Sequence, residues 1–583
     1  MSIIAGIYVR DEKREIPERI RGELKKLISR RADEELFVFE SDRVFFVKAE
    51  TGAFGDAGIF CADAENSISI LAGEPLLADA DAGSRALDLR RIHESLARKN
   101  TEILAAAQGV YCLANYRSDD QSLILIADRL GVRPLYYWIG ENYVVFSTAL
   151  RVLENLSEIP KKMNVRAVTE IAALGYALGD RTPYEDIFLL KPGELLEVRS
   201  EQVSQTNYWR WDAIKTSVEN EENLLRELYQ RFKDAVSRRL QNDTTSVAYL
   251  SGGLDSRCIV GCLADAGARV HTFNFARPNT QDQILGRRFA EMVDTIHTEV
   301  PKDAGDHVPD YSQKMAEAWE ESENREAFPA EHPALVWSGE GGSVALGHVH
   351  LSRKIVELMR AGQKDEAITE FLSREHIYLS PKLLHPRVLD KISAFLRQGI
   401  REELDGFDCE DAARGFYLFL LLNDQRRKLA KHFENIDLHR LEFQLPFFDG
   451  AFLETIISIP IERCLEHKFY VKWLGCFPKA VSSVAWQAYP GHEPCPLPVP
   501  EGLSYQWDQA YQADEQKSLD RKLVAEAKEL LKSEDFPVPI LNKINIRLAV
   551  WLHRTGWRDY SYIIENAGIY HKYWRICKGD YSL

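Results

Sequence analysis

The stretch Ser246-Val247-Ala248-Tyr249-Leu250-Ser251-Gly252-Gly253-Leu254-Asp255-Ser256-Arg257 decides the fold of the larger part of this chain. Residues 246–250 read as a short strand, Ser251 to Ser256 as a glycine turn, and residues 257–266 as a helix. A strand–turn–helix unit aims backbone N–H groups at one point, and the helix dipole adds partial positive charge there. That makes an anion site. Gly252 and Gly253 permit close backbone approach, the hydroxyls of Ser251 and Ser256 can donate to phosphate oxygens, and Asp255 can hold Mg²⁺. No Gly-Lys-Ser/Thr sequence occurs in the chain, which excludes the phosphate loop of kinases and GTPases.

Outward from this loop the pattern alternates. A helix over residues 224–240 precedes it. A strand over 269–275, a helix over 284–292 and a strand over 297–300 follow, which predicts a parallel sheet with crossover helices. Residues 356–422 read as mostly helical. The first two hundred residues differ, being rich in short β-type runs such as Leu36–Glu40, 110–116, 123–128 and Glu194–Arg199, with fewer helical patterns, as in 19–31 and 87–96. That balance predicts a layered α+β domain on antiparallel sheets. The aromatic cluster Tyr208, Trp209 and Trp211 gives way to the polar run 219–223, which places a boundary there and divides the chain into residues 1–210 and 211–583. A Pro-rich stretch, 490–500, breaks the chain late, and helical and aromatic segments follow it to Leu583.

Composition narrows the function. Lys and Arg number 73 against 89 Asp and Glu in 583 residues, a net charge of −16, which argues against binding nucleic acid by phosphate neutralisation. Hydrophobic residues at 45% and charged residues at 28% are ordinary globular values that leave material for sizeable cores. The nine cysteines are scattered and odd in number, so a disulfide framework is not expected and a reducing, cytoplasmic compartment is. The apolar start at Ser2 lacks a basic segment before it and reads as a buried strand rather than a signal peptide. The most apolar later run, 416–422, is far shorter than the roughly 20 residues of a spanning helix, so no membrane segment is expected. Neither His348 with His350 nor His492 with Cys495 has structural-zinc spacing, and both pairs are expected in packing or loop hydrogen bonds. Cys258 and Cys262, one helical turn apart, are expected to face the core.

The hexapeptide Ser251–Ser256 resembles the pyrophosphate-binding loop of the ATP pyrophosphatase family, and its surroundings resemble the asparagine synthetase group within it. Asp128-Arg129-Leu130-Gly131-Val132-Arg133-Pro134-Leu135-Tyr136-Tyr137, with Val145-Phe146-Ser147, resembles the end of that group's glutaminase-type domain. Ala72-Gly73-Glu74-Pro75-Leu76-Leu77 is a weaker match there. Ser338-Gly339-Glu340-Gly341-Gly342 resembles the second glycine loop, and Leu441-Glu442-Phe443-Gln444-Leu445-Pro446-Phe447-Phe448-Asp449 the segment ending in Pro-Phe-Leu-Asp. The resemblance implies an α+β Ntn-hydrolase-like sandwich domain of glutamine amidotransferase type, followed by an α/β ATP-pyrophosphatase domain of the adenine nucleotide α-hydrolase-like kind. It further implies ATP and Mg²⁺ as cofactors. Ser251, Gly252, Gly253, Asp255, Ser256, Gly339, Glu340 and Gly341 would bind ATP and pyrophosphate, Asp255 would hold the metal, and Glu442 would position or deprotonate an amine beside the acyl group.

Three departures bear on activity. The group's nucleophilic Cys after the initiator Met is Ser2 here, its Asn-Gly-Glu loop is Ala72-Gly73-Glu74, and its Arg-Leu-Ser-Ile segment has no counterpart, so a domain that does not hydrolyse glutamine is expected. Ser343 stands where the second loop normally has a metal-binding Asp. Tyr489 stands where a Lys is usual, with Lys468 and Lys472 nearby in sequence. The leading reading is an amide-forming ligase that makes an acyl-adenylate and takes an amine carried by the substrate, as in lasso peptide cyclases and β-lactam synthetases. The substrate would be a small molecule or peptide, with a precursor peptide or maturation protein as partner. Amidation with free ammonia and a non-catalytic nucleotide-binding protein remain the alternatives.

Overall fold

The computed structural model describes residues 2–11, 13–62, 66–77, 84–301, 311–486, 502–503 and 509–583, with backbone alone for 509–516 and 519. Two six-stranded antiparallel sheets occupy the first part. One runs in the order Ile187–Leu189, Tyr136–Ile139, Tyr143–Ser147, Ser2–Val9, Val44–Glu50, Leu36–Glu40, and the other in the order Gln202–Asn207, Glu194–Arg199, Ser122–Ala127, Tyr111–Arg117, Ser67–Gly73, Ile59–Ala62. The alternation of Ser2–Val9 explains the layering. Ile4 and Tyr8 enter the core between the sheets with Phe46, Ile70 and Phe146, while Ile3, Ala5, Ile7 and Val9 face the helices on the outer side. Helix Glu18–Ile28 buries Ile20, Leu24 and Ile28 on that outer face, and Arg85–Ala97 covers the second sheet with Leu89, Ile92 and Leu96. The result is a sandwich of two sheets between helical layers.

Five further strands form a parallel sheet in the order Ile296–Glu299, Arg269–Asn274, Thr245–Tyr249, Leu335–Trp337, Glu442–Gln444. Ala248 lies between Thr272 on one side and Trp337 on the other, so chain order reverses at Thr245–Tyr249. Connections leaving the carboxyl ends of two neighbouring strands in opposite directions open a crevice between them, the place where α/β sheets bind ligands. The helix after the glycine turn spans Asp255–Asp265 and thus begins two residues before the sequence pattern placed it. Leu254 at its N-cap offers no capping side chain, and Asp255 in the first turn complements the dipole instead.

Helices from Arg353–Arg360 to Ile436–His439 lie between the fourth and fifth strands of the sheet in sequence, and Cys258 and Cys262 face the core as expected. The C-terminal segment forms helices Gln509–Lys532, Lys543–Arg554 and Ser561–Ile576. It returns to the first domain, where Tyr570 shares a hydrogen bond of 2.7 Å with Thr169 and Tyr581–Ser582 pairs with Met163–Asn164. No disulfide joins the eight described cysteines to one another, and among the described residues no helix is long and apolar enough to cross a membrane. The Pro-rich stretch 490–500, His492 and Cys495 lie outside the described residues.

Candidate active site

The two glycine loops meet in the crevice. A methyl group on Gly342 would stand 2.5 Å from the carboxyl carbon of Asp255, and one on Gly339 would stand 2.7 Å from the Ser256 amide nitrogen. Gly341 has φ +94°, a conformation that carries the second loop across the first and that other residues resist. Ser251, Gly252, Gly253, Asp255, Ser256, Gly339, Glu340 and Gly341 are therefore brought together.

Within the first loop the Ser256 hydroxyl accepts from the Ser251 N–H at 3.0 Å, and the Ser251 hydroxyl accepts from the Gly253 N–H at 3.2 Å. The Gly252 N–H donates to Asp282 at 2.5 Å. Asp282 is buried, and burial pushes its carboxyl up to about 6 although Gly252 opposes the shift. Behind the loop, the buried Arg257 guanidinium donates to the carbonyls of Gly253 (2.9 Å), Gly252 (3.0 Å), Val484 (2.8 Å) and Ala485 (3.0 Å). It fixes the turn to the segment that leads to Trp486.

Asp255 accepts the Tyr470 hydroxyl at 2.6 Å, the Ser343 N–H at 3.0 Å and the Ser343 hydroxyl at 3.0 and 3.1 Å. Its carboxyl is raised by desolvation, against the pull of these donors. Glu340 reaches solvent at the crevice mouth. Its carboxyl is raised by the surrounding protein and then by the like charge of Asp255, with Lys428 opposing. A carboxylate raised by the like charge of a neighbouring one marks a place that suits a divalent cation. Among the described residues no group of three or more His, Cys, Asp or Glu could hold a metal. A Mg²⁺ ion held by one or two carboxylates, with phosphates and water completing its shell, fits this donor set.

Glu442 lies elsewhere. It opens the edge strand Glu442–Gln444, is buried, and forms an ion pair with Arg133 of the first domain, whose guanidinium stacks over Phe433 at 4.3 Å. One carboxylate oxygen of Glu442 has no hydrogen-bond partner. Burial raises its pKa despite Arg133. No described hydrogen bond or ion pair joins Glu442 to the glycine loops. Lys468 pairs with Glu466 and Lys472 with Glu221, away from Asp255, and Tyr489 lies outside the described residues.

A cavity of about 860 Å³ opens beyond the second loop, lined by Gly347, His348, His350, Arg353, His467 and Trp486 among others. His467 stacks near Tyr470 at 6.2 Å and so connects the cavity wall to Asp255. His348 stacks on Tyr417 at 4.3 Å, and His350 pairs with Glu375 at 3.2 Å, as expected of packing residues.

In the first domain, Ser2 is buried and its hydroxyl donates to Glu50. Lys48 pairs with Glu50 at 2.8 Å and donates to the Leu71 carbonyl at 2.8 Å, and Arg85 donates to the Gly73 carbonyl at 2.8 Å. Burial pushes the Lys48 ammonium down to about 8, with Glu50 opposing. Glu74, raised by burial to about 7, turns to the interface and accepts from Gln241. Sequence reasoning missed Tyr470, Asp282, Arg257 and Arg133 as parts of these sites. Asp282 carries a trace, a carboxylate opening the helix after the second strand of the sheet, while Tyr470 has no local signal.

An antiparallel double-sheet domain joined to a parallel sheet with two glycine loops at its switch point defines the class: a domain of glutamine amidotransferase type followed by an α/β domain of asparagine synthase type. Residues 88–209 match the glutamine amidotransferase domain family and residues 227–340 match asparagine synthase. In these two segments the chain is similar to glutamine amidotransferase domains and to asparagine synthase. It is 30% identical over 162 residues to a putative glutamine-hydrolysing asparagine synthetase of Methanocaldococcus jannaschii, covering 27% of this chain and 31% of that protein. It is 26% identical over 175 residues to asparagine synthetase 3 of Bacillus subtilis, covering 28% of each. A putative asparagine synthetase of Mycobacterium bovis is 24% identical over 325 residues, 52% of this chain and 46% of that one. The chain thus spans between about a quarter and a half of the length of these curated relatives.

Proposed function

We propose that this chain is an ATP-dependent, AMP-forming carbon–nitrogen ligase that activates a carboxylate and joins it to an amine carried by its own substrate, in the manner of a lasso peptide cyclase or β-lactam synthetase. One observation carries the reading: Ser251–Ser256 and Gly339–Ser343 converge on Asp255 at the switch point of the parallel sheet. The substrate carboxylate attacks the α-phosphorus of ATP, the bond to the β-phosphate oxygen breaks, and pyrophosphate leaves. The Ser251 and Ser256 hydroxyls and the N–H groups of the first helical turn would hold that leaving group. Mg²⁺, held by Asp255 and Glu340, would supply neutralising charge for the phosphates. The amine then attacks the acyl carbon and AMP departs. Glu442 is assigned to orient or deprotonate the amine, which requires the reacting end of the substrate to reach the domain interface.

Two further observations support a substrate-borne amine. The Ser2 hydroxyl is committed to Glu50, with Lys48 and Arg85 against the same carboxylate, an arrangement unsuited to a glutamine-cleaving nucleophile. The cavity beside the second loop is far larger than ammonia requires. A nucleotide-binding role without turnover is favoured by one feature, the three donors already engaged on Asp255.

The test is ATP–pyrophosphate exchange driven by a panel of carboxylates and peptide acids, with and without ammonium. Exchange that needs a carboxylate and vanishes in Asp255→Ala and Ser251→Ala is expected. Exchange that persists unchanged in both variants removes the loop from the chemistry. ATP binding without exchange across the panel favours the non-catalytic alternative.

A further inference from the structure

Helix Lys543–Arg554 turns Ile546, Ala549 and Val550 inward. Its opposite face carries Ile544 (77% exposed), Leu548 (53%) and Trp551 (58%), and the turn after it carries Trp557 (81%). The spacing i, i+4, i+7 sets the first three in one stripe, because 3.6 residues make a turn. Isolated exposed apolar residues are ordinary, whereas a row of three on one helix face, followed by a further exposed tryptophan, is the mark of a contact surface.

The charge around the stripe identifies the occupant. Residues 543–558 contain Lys543, Arg547, Arg554 and Arg558 and no Asp or Glu. Arg547 and Arg554 are exposed beside the stripe, and neither forms an ion pair among the described residues. This basic edge stands on a chain of net charge −16. A bilayer of anionic lipid or a nucleic acid would meet the repulsion of the whole chain at long range, whereas a short acidic segment meets mainly the local cations. Residues 543–558 also lie outside both family matches. We propose that the outer face of helix Lys543–Arg554, with Trp557, is a docking surface for a partner polypeptide that presents an acidic amphipathic helix. Apolar side chains on that helix would cover Ile544, Leu548 and Trp551, and its carboxylates would pair with Arg547 and Arg554.

The experiment titrates the full chain with a fluorescein-labelled helical peptide of about 20 residues, long enough to cover the stripe. The peptide carries Leu at i, i+4, i+7 spacing and Glu elsewhere. Saturable anisotropy with a blue shift of tryptophan emission is expected, weakened by salt and by at least about tenfold in Leu548→Glu and in Trp551→Glu. Thermal unfolding of these surface variants stays at the wild-type value, and Arg547→Glu/Arg554→Glu weakens binding by charge alone. Four results overturn the proposal: no saturable binding; equal binding of the same peptide with Lys in place of Glu; binding unaffected by Leu548→Glu; or preferential binding to phosphatidylserine vesicles. Concentration-dependent dimerisation abolished by Leu548→Glu would overturn it too, by assigning the face to a second copy of this chain.

Discussion

At Asp255 three donors converge, two from Ser343 and one from Tyr470. Ser343→Asp replaces a donor with a like charge and is expected to destabilise the protein in chelator by about 2 kcal/mol, the scale of an acceptor left without its donor beside a second acceptor. Millimolar Mg²⁺ should restore most of the loss, because a cation satisfies both carboxylates; thermal unfolding with and without Mg²⁺ measures it. Ser343→Ala should lose less and show no comparable rescue. Asp282 offers a pH test. Its carboxyl is raised from 3.8 to about 6, so its contribution is fully present below the unfolded value and is lost as pH rises through the folded one. Asp282→Asn cannot ionise and should flatten that part of the stability profile, gaining on wild type by a few kcal/mol between about pH 4 and pH 7. A denaturant series at stepped pH checks the sign, and a variant that loses ground over this window contradicts it.

At the scale of elements, the edge strand Glu442–Gln444 is tied to the first domain by the buried ion pair of Glu442 with Arg133 and by a hydrogen bond between Gln444 and Glu74. Arg133→Met should cost about 3–5 kcal/mol because it strands the Glu442 charge, and adding Glu442→Gln should recover a large part of that loss. Chemical unfolding of the singles and the double gives the coupling. If Glu442 handles the amine, Arg133→Met also removes the cation that opposes its raised pKa, and the pH profile of amide formation should move to the alkaline side while pyrophosphate exchange does not. The sequence placed Glu442 in a family segment but could not place its partner, since Arg133 precedes it by 309 positions and only the docking of two domains makes them neighbours.

Across the whole molecule the interface is built by arginines of one part on acids and carbonyls of the other. Arg30 and Arg151 bind Asp437 at 2.6 and 3.1 Å, and the buried Arg426 donates to the carbonyls of Gly131 (2.9 Å) and Leu190 (2.6 Å). Asp437 is desolvated, yet Arg30 and Arg151 outweigh burial and hold its carboxyl below the ordinary 3.8. Its contribution is therefore present above that value and lost as pH falls through the lower folded one. Wild type should exceed Asp437→Asn in thermal stability near neutrality, with the two curves converging below about pH 4. Limited proteolysis between the domains is expected to follow the same course.

The strand–turn–helix at 246–266, the alternation after it and the glycine loops were legible because each is a local pattern: periodicity, glycine freedom and an acid at a helix start act within a few residues. The antiparallel character of the first domain was legible for the same reason. Local pattern could not say that Ser343 would bond to Asp255, that Tyr470 would close on the same carboxylate, that Arg257 would clamp the loop from behind, or that Glu442 would sit at a domain interface. Nor could the helical tail be placed from its sequence. By itself the sequence determined the antiparallel character of the first part, the parallel sheet of the second and the anion loop; tertiary structure alone decided which distant side chains share that loop's carboxylate, because burial, not spacing, selects the partners a charged group must find.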